Sequence, residues 1–284
     1  MRAVLVCLLA GIAAAGPLTD GRRGEAKEKL LRARGGNAAT EKAVHRALEW
    51  LAAHQGEDGS WDADGFMDAA GCACDGKGGG WHGEDVPCPF DAEVTGLAAL
   101  AFLGAGHDHE SEGPFRDNVD RALAWLRVHR GRTLFAVSYA TQALAEAHDM
   151  TGDDELRDAV EEGLATLLGC QQEQGGWRYF AGATMESGVP TTTAVVAAVR
   201  AAEECGFRVD DAWRERVLKW LDALVDRETG RVKYTMNAEK LGYTPTTTNA
   251  ASALLIRTWL GRPGGDPEVA RGVKTVLKTK PKWS

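Results

Sequence analysis

One spacing recurs five times along this 284-residue chain and narrows sharply what it can fold into. A valine is followed four positions on by a leucine at Val44…Leu48, Val119…Leu123, Val160…Leu164, Val217…Leu221 and Val273…Leu277. In the first four copies another leucine follows three positions later: Leu51, Leu126, Leu167 and Leu224. Positions i, i+4 and i+7 share one face of an α-helix, so each copy predicts an amphipathic helix with its stripe turned to a core. Charges such as Arg46, Glu49, Arg121 and Glu161 interrupt these segments and place them on the outside of the fold.

Two copies are followed by matching turns. Gln55-Gly56-Glu57-Asp58-Gly59-Ser60-Trp61 comes after the first, and Gln171 through Gly175-Gly176-Trp177 after the third. Each tryptophan stands at one fixed distance beyond the last leucine of its stripe, and Tyr234 holds that place in the fourth copy. Glycine closes the helix in a left-handed cap, and the aromatic can then fold back on the helix end. A second class of helix follows, rich in alanine and nearly uncharged in the middle. These begin near Val94-Thr95-Gly96, Tyr139-Ala140-Thr141, Thr192-Thr193-Ala194 and Thr247-Thr248-Asn249, and their composition predicts burial on more than one side. Outer and inner helices in alternation predict an all-α, curved or ring-like array of about four and a half hairpins.

The Q-x-x-D-G-S-W turn at 55–61 resembles the QW motif of squalene and oxidosqualene cyclases. The outer/inner alternation is similar to the repeats of those enzymes and of protein prenyltransferase β-subunits, which fold as α/α toroids. Phe102-Leu103-Gly104-Ala105-Gly106-His107, Gly175-Gly176-Trp177-Arg178-Tyr179 and the Pro-Thr-Thr-Thr helix starts at Pro190 and Pro245 further resemble exported prenyltransferase/squalene-oxidase-repeat proteins of planctomycete-type bacteria. The resemblance covers residue 40 to the C-terminus and implies an α/α toroid, open or incomplete because the fifth outer helix (about 267–278) has no inner partner after it.

The catalytic residues of these enzyme families have no counterpart in the chain. Alkene protonation by a cyclase needs a D-x-D-D acid, and the nearest strings, Asp62-Ala63-Asp64, Asp153-Asp154-Glu155 and Asp210-Asp211, lie at turns or helix starts where aspartate caps backbone N–H groups. A prenyltransferase-like site needs Asp, Cys and His around zinc, and the inner helices hold no Cys/His pair at a comparable place. Gly169-Cys170-Gln171-Gln172-Glu173 has glutamate where a thioester motif has glutamine.

Two groups remain as candidate sites. An insertion at about 62–90 carries Cys72, Cys74, His82 and Cys88, whose types allow a disulfide, a zinc site or free thiols. A disulfide from Cys88 to Cys72 or Cys74 is the simpler account in an exported chain, so no cofactor is expected, with zinc at this insertion as the alternative. The starts of the inner helices present Asp91, Glu93, Ser138, Tyr139, Gln142, Thr192, Thr193, Thr247, Thr248 and Asn249, which could receive an anionic or sugar-like ligand beside free helix N–H groups, or simply start helices. Gln55, Gly59, Trp61, Gly176, Trp177 and Tyr234 read as the structural framework of the repeat.

Arg2, the apolar run Ala3–Ile12 and Ala13-Ala14-Ala15 read as a signal peptide over 1–15, with a secreted or periplasmic destination. Residues 16–39 have mixed charge and few large apolar side chains, which predicts a disordered linker. The net charge of −8 argues against nucleic acid as a partner, and no segment is long and apolar enough for a transmembrane helix. The expectation is a non-catalytic module for binding or scaffolding a protein, small molecule or glycan. The alternative is an enzyme, cyclase-like or polysaccharide-lyase-like, acting on an isoprenoid lipid or extracellular polymer.

Overall fold

The computed structural model describes residues 18–66, 90–182 and 186–278. Its described residues are all-helical, with ten α-helices: α1 (Gly24–Arg34), α2 (Ala38–Ala53), α3 (Asp91–Gly104), α4 (Arg116–Val128), α5 (Leu134–Thr151), α6 (Arg157–Gly169), α7 (Val189–Glu204), α8 (Ala212–Leu224), α9 (Thr247–Trp259) and α10 (Pro267–Lys278). Extended pairing among them amounts to isolated bridges from Val232 to Val225 and Thr246. No helix of the described residues is long and apolar enough to cross a membrane. The contacts divide the chain into two units, Met1–Gly163 with Ala201–Phe207, and Leu164–Arg200 with Arg208–Ser284.

The five Val…Leu copies fall on α2, α4, α6, α8 and α10, and the alanine-rich segments on α3, α5, α7 and α9. In the three middle copies the stripe is buried: Val119, Leu123 and Leu126; Val160, Leu164 and Leu167; Val217, Leu221 and Leu224. In the first copy Leu48 is buried while Val44 is exposed. The fifth copy departs from the pattern. Leu277 is 59% exposed, and α10 instead buries Val269 and Thr275 as it packs on α9. The face that α10 buries is not the one its spacing marks. Replacing Leu123 with alanine should therefore cost about 2–5 kcal/mol in chemical denaturation, whereas Leu277→Ala should stay within about 0.5 kcal/mol of the parent. Equal losses would contradict the different burial of the two leucines.

Within the first unit α3 packs most closely on α5. The approach depends on Gly96, because a Cβ there would lie 2.7 Å from Cβ of Tyr139. α5 begins with Thr133 as N-cap, its hydroxyl oxygen accepting from the Ala136 N–H at 3.0 Å. It then buries Leu134, Val137, Ala140, Leu144 and Ala147 among others, as its near-uncharged sequence requires.

The predicted linker is the clearest correction. Residues 24–34 form α1, so the ordered chain starts well before residue 40. α1 buries none of its own residues, which is why no apolar pattern announces it. Polar contacts hold the segment. Arg23 Nε donates to the Gly106 carbonyl at 3.2 Å and Lys27 Nζ to that of Ala105 at 2.9 Å, so two cations cap the carbonyl end of α3, where the helix dipole favours positive charge. Arg23 also pairs with the buried Asp108, and Lys27 with Glu41 at 3.2 Å. Arg22 reaches Glu146 of α5 at 2.7 Å, and the Thr19 hydroxyl donates to Asp149.

Candidate functional site

The two predicted turns make the same set of bonds. The Trp61 indole Nε1–H donates to the Leu51 carbonyl at 2.9 Å, and that of Trp177 donates to the Leu167 carbonyl at 2.6 Å, ten residues back in each case. The Trp61 backbone N–H donates to the Thr95 hydroxyl at 2.9 Å, and that of Trp177 to the Thr192 hydroxyl at 3.0 Å. Gln55 Nε2 donates to the carbonyls of Gly59 and Asn118, and Gln171 Nε2 to those of Gly175 and Trp213. Gly59 has φ +94° and Gly175 φ +112°. A Cβ at these two positions would meet the carbonyl oxygens of Arg121 and Arg216 at 2.5 and 2.1 Å. Only glycine satisfies both the left-handed backbone and the close approach. Each turn thus ties one stripe helix to its neighbours through a buried tryptophan.

Most of the polar groups proposed to face a ligand already bond within their own unit. In the first, Asp91 Oδ1 accepts from the Ala63 N–H at 2.9 Å, and Glu93 accepts from the Thr133 hydroxyl. Burial pushes the Tyr139 phenol above its ordinary range, and the nearby Glu93 adds to the effect. The Ser138 hydroxyl donates to the Leu134 carbonyl, and Gln142 Nε2 to Glu146 at 2.7 Å. In the second, Thr192 receives the tryptophan turn, and the Thr193 hydroxyl donates to the Val189 carbonyl at 2.8 Å. Asn249 donates from its backbone N–H to the Thr246 hydroxyl and from Nδ2 to the Val232 carbonyl. Thr248 is exposed, and Thr247 is partly buried.

Tyr234 corrects the expected framework. It is 37% exposed, unlike Trp61 and Trp177, and its ring lies 5.4 Å from that of Tyr243 over Gly188. A different device secures this loop. Glu186 accepts from the Thr235 hydroxyl at 2.6 Å and the Asn237 N–H at 3.0 Å, bonds that hold its carboxyl below the usual range. No sequence pattern marked Glu186 for this role, since its partners lie some fifty positions away.

Cys72, Cys74, His82 and Cys88 lie outside the described residues. Cys170 and Cys205 are free thiols, with Cys205 buried and its thiol pushed up to about 12 by burial and by the neighbouring Asp149 and Glu146. Asp62, Asp64 and Asp91 bring oxygens within 4.8 Å of one another. Asp62 caps the N–H groups of Asp64 and Gly65, in keeping with the predicted capping role.

The fold and these turns define an all-helical protein with an internally repeated tryptophan turn. Compared with family models, with curated proteins and with solved structures, the chain finds no match.

Proposed function

We propose that this chain is an exported α/α-toroid-like repeat protein, similar in kind to the prenyltransferase/squalene-oxidase-repeat proteins, that acts as a non-catalytic binding or scaffold module. The observation that carries the reading is the use made of the inner-helix starts. Asp91, Thr95 and Thr192 are bonded to the chain's own turns, Thr95 and Thr192 each receiving a tryptophan backbone N–H, and Ser138 and Thr193 to carbonyls of their own helices. A group engaged in this way positions the fold and has little left to offer a reacting substrate.

The test is Thr192→Val, which keeps the shape and removes the acceptor. It leaves the buried Trp177 N–H without a partner, so thermal or chemical denaturation should show a loss of about 1–3 kcal/mol. Unchanged stability would free that hydroxyl for a ligand and remove the support for the module. Incubation of the full chain with squalene or with an acidic polysaccharide should give no product. Turnover of either would establish the enzyme instead.

A further inference from the structure

The two tryptophan turns agree in their framework but differ in how their outer polar groups are satisfied. In the first, Asn118 Nδ2 and Arg121 both donate to Gln55 Oε1 at 2.7 Å, and Arg121 also reaches the Gly56 carbonyl at 3.2 Å. Four residues beyond Arg121, Trp125 donates its indole N–H to Asp58 Oδ2 at 3.0 Å, while Ser60 donates to the other oxygen of Asp58. Burial pushes the Asp58 carboxyl up, but these bonds from Ser60 and Trp125 bring it below its ordinary value. This turn carries its own carboxylate.

In the second turn Trp213 takes the place of Asn118, Arg216 that of Arg121, Trp220 that of Trp125, and Gln174 that of Asp58. The carboxylate is gone. Among the described residues Gln171 Oε1 is buried without a donor, and Trp220, only 2% exposed, has an indole N–H without an acceptor. Its ring has folded in onto Gly176, where a Cβ would meet it at 2.9 Å. Beside it opens a groove of about 320 Å³ lined by Glu173, Gln174, Arg216, Lys219, Trp220 and Met236. Arg216 and Lys219 stand on one exposed face of α8, one turn apart, and among the described residues neither forms an ion pair. Two unpaired cations against one acid leave the groove short of negative charge, over an apolar wall of Trp220 and Met236.

We propose that this groove docks an acidic peptide segment of a partner protein, whose carboxylate enters beside Gln174, the counterpart of Asp58, and pairs with the exposed Arg216 and Lys219. A peptide is favoured because the group that fills the sibling turn is itself an aspartate on a tight main-chain bend, followed by an aromatic. The proposal deepens the binding-module reading and rests on it.

The experiment uses the full chain labelled with ¹⁵N and an unlabelled heptapeptide with the sequence of residues 55–61. Titration should shift the indole N–H signal of Trp220, assigned by its loss in Trp220→Phe, in a saturable way. The same peptide with asparagine for its aspartate and glutamine for its glutamate should bind at least about tenfold more weakly, as removal of a charged hydrogen-bond partner implies. Arg216→Ala and Lys219→Glu, both at exposed positions, should weaken binding by a similar factor at unchanged melting temperature. Gln174→Asp, which returns a carboxylate to the groove, should also weaken it. Equal binding of the charged and neutral peptides, or no saturable shift, overturns the proposal. So does a shift given only by an oligouronate, since that would make the groove a site for acidic sugars. None of these outcomes bears on catalysis, which the turnover assay reads separately.

Discussion

Alanine in place of Trp177 should lower the unfolding free energy by about 3–5 kcal/mol, one of the two largest losses expected from a single substitution in this chain. Trp177 is fully buried, and its indole lies 6.2 Å from that of Trp213. Truncation opens a cavity among the stripe side chains and takes the 2.6 Å indole donor from the Leu167 carbonyl, which keeps the Cys170 N–H at 3.2 Å, so a hydrogen-bond loss adds to the packing loss. The control is Trp50→Ala, at a ring that is 48% exposed on α2 and lies against His54 at 3.9 Å. That replacement should cost a small fraction as much. Urea denaturation of the two variants decides the matter: comparable midpoints would mean that the turn tryptophan does not hold the repeat together.

The second large effect lies in the segment that looks least structured in sequence. Arg22→Ala should destabilise the protein by about 3–5 kcal/mol, because it strands the carboxylate of Glu146. That residue is 2% exposed, and its remaining side-chain partner is the Gln142 amide. Desolvating a carboxylate is expensive, and the amide dipole compensates far less than a guanidinium at 2.7 Å. Replacing both partners by apolar residues, Arg22→Met with Glu146→Leu, should recover most of the loss, since neither charge is then buried alone. If Arg22→Ala melts with the parent, the lead-in does not dock on α5 in solution, and the residue 40 boundary read from the sequence is restored.

How much could be read in advance differs from residue to residue for physical reasons. Leu123, Leu164 and Leu221 were legible because a helix repeats every 3.6 residues, and that period is written in a short stretch of chain. Trp61 and Trp177 were legible as members of a repeat, and the Thr95 and Thr192 starts as helix beginnings. Their bond to each other was not, since a Thr hydroxyl reaching a distant tryptophan N–H leaves no local pattern. The same holds for Glu186, which reads as an ordinary surface acid until Thr235 and Asn237 close on it.

The sequence by itself determined helices α2 to α10, their alternation and the glycines at their turns, all of which follow from propensity and spacing within about one hairpin. Tertiary structure alone decided which copies close in the repeat's manner. Leu277 keeps its place in the spacing yet faces solvent, because α10 meets α9 through Val269 and Thr275. Tyr234 keeps the place of a tryptophan yet stays half-exposed beside Tyr243. Residues 18–34 have no stripe and still join the fold, because the carbonyl end of α3 and the acids of α5 attract their cations. Burial and ion pairing depend on which surfaces meet across tens of residues, and a local period carries no record of that.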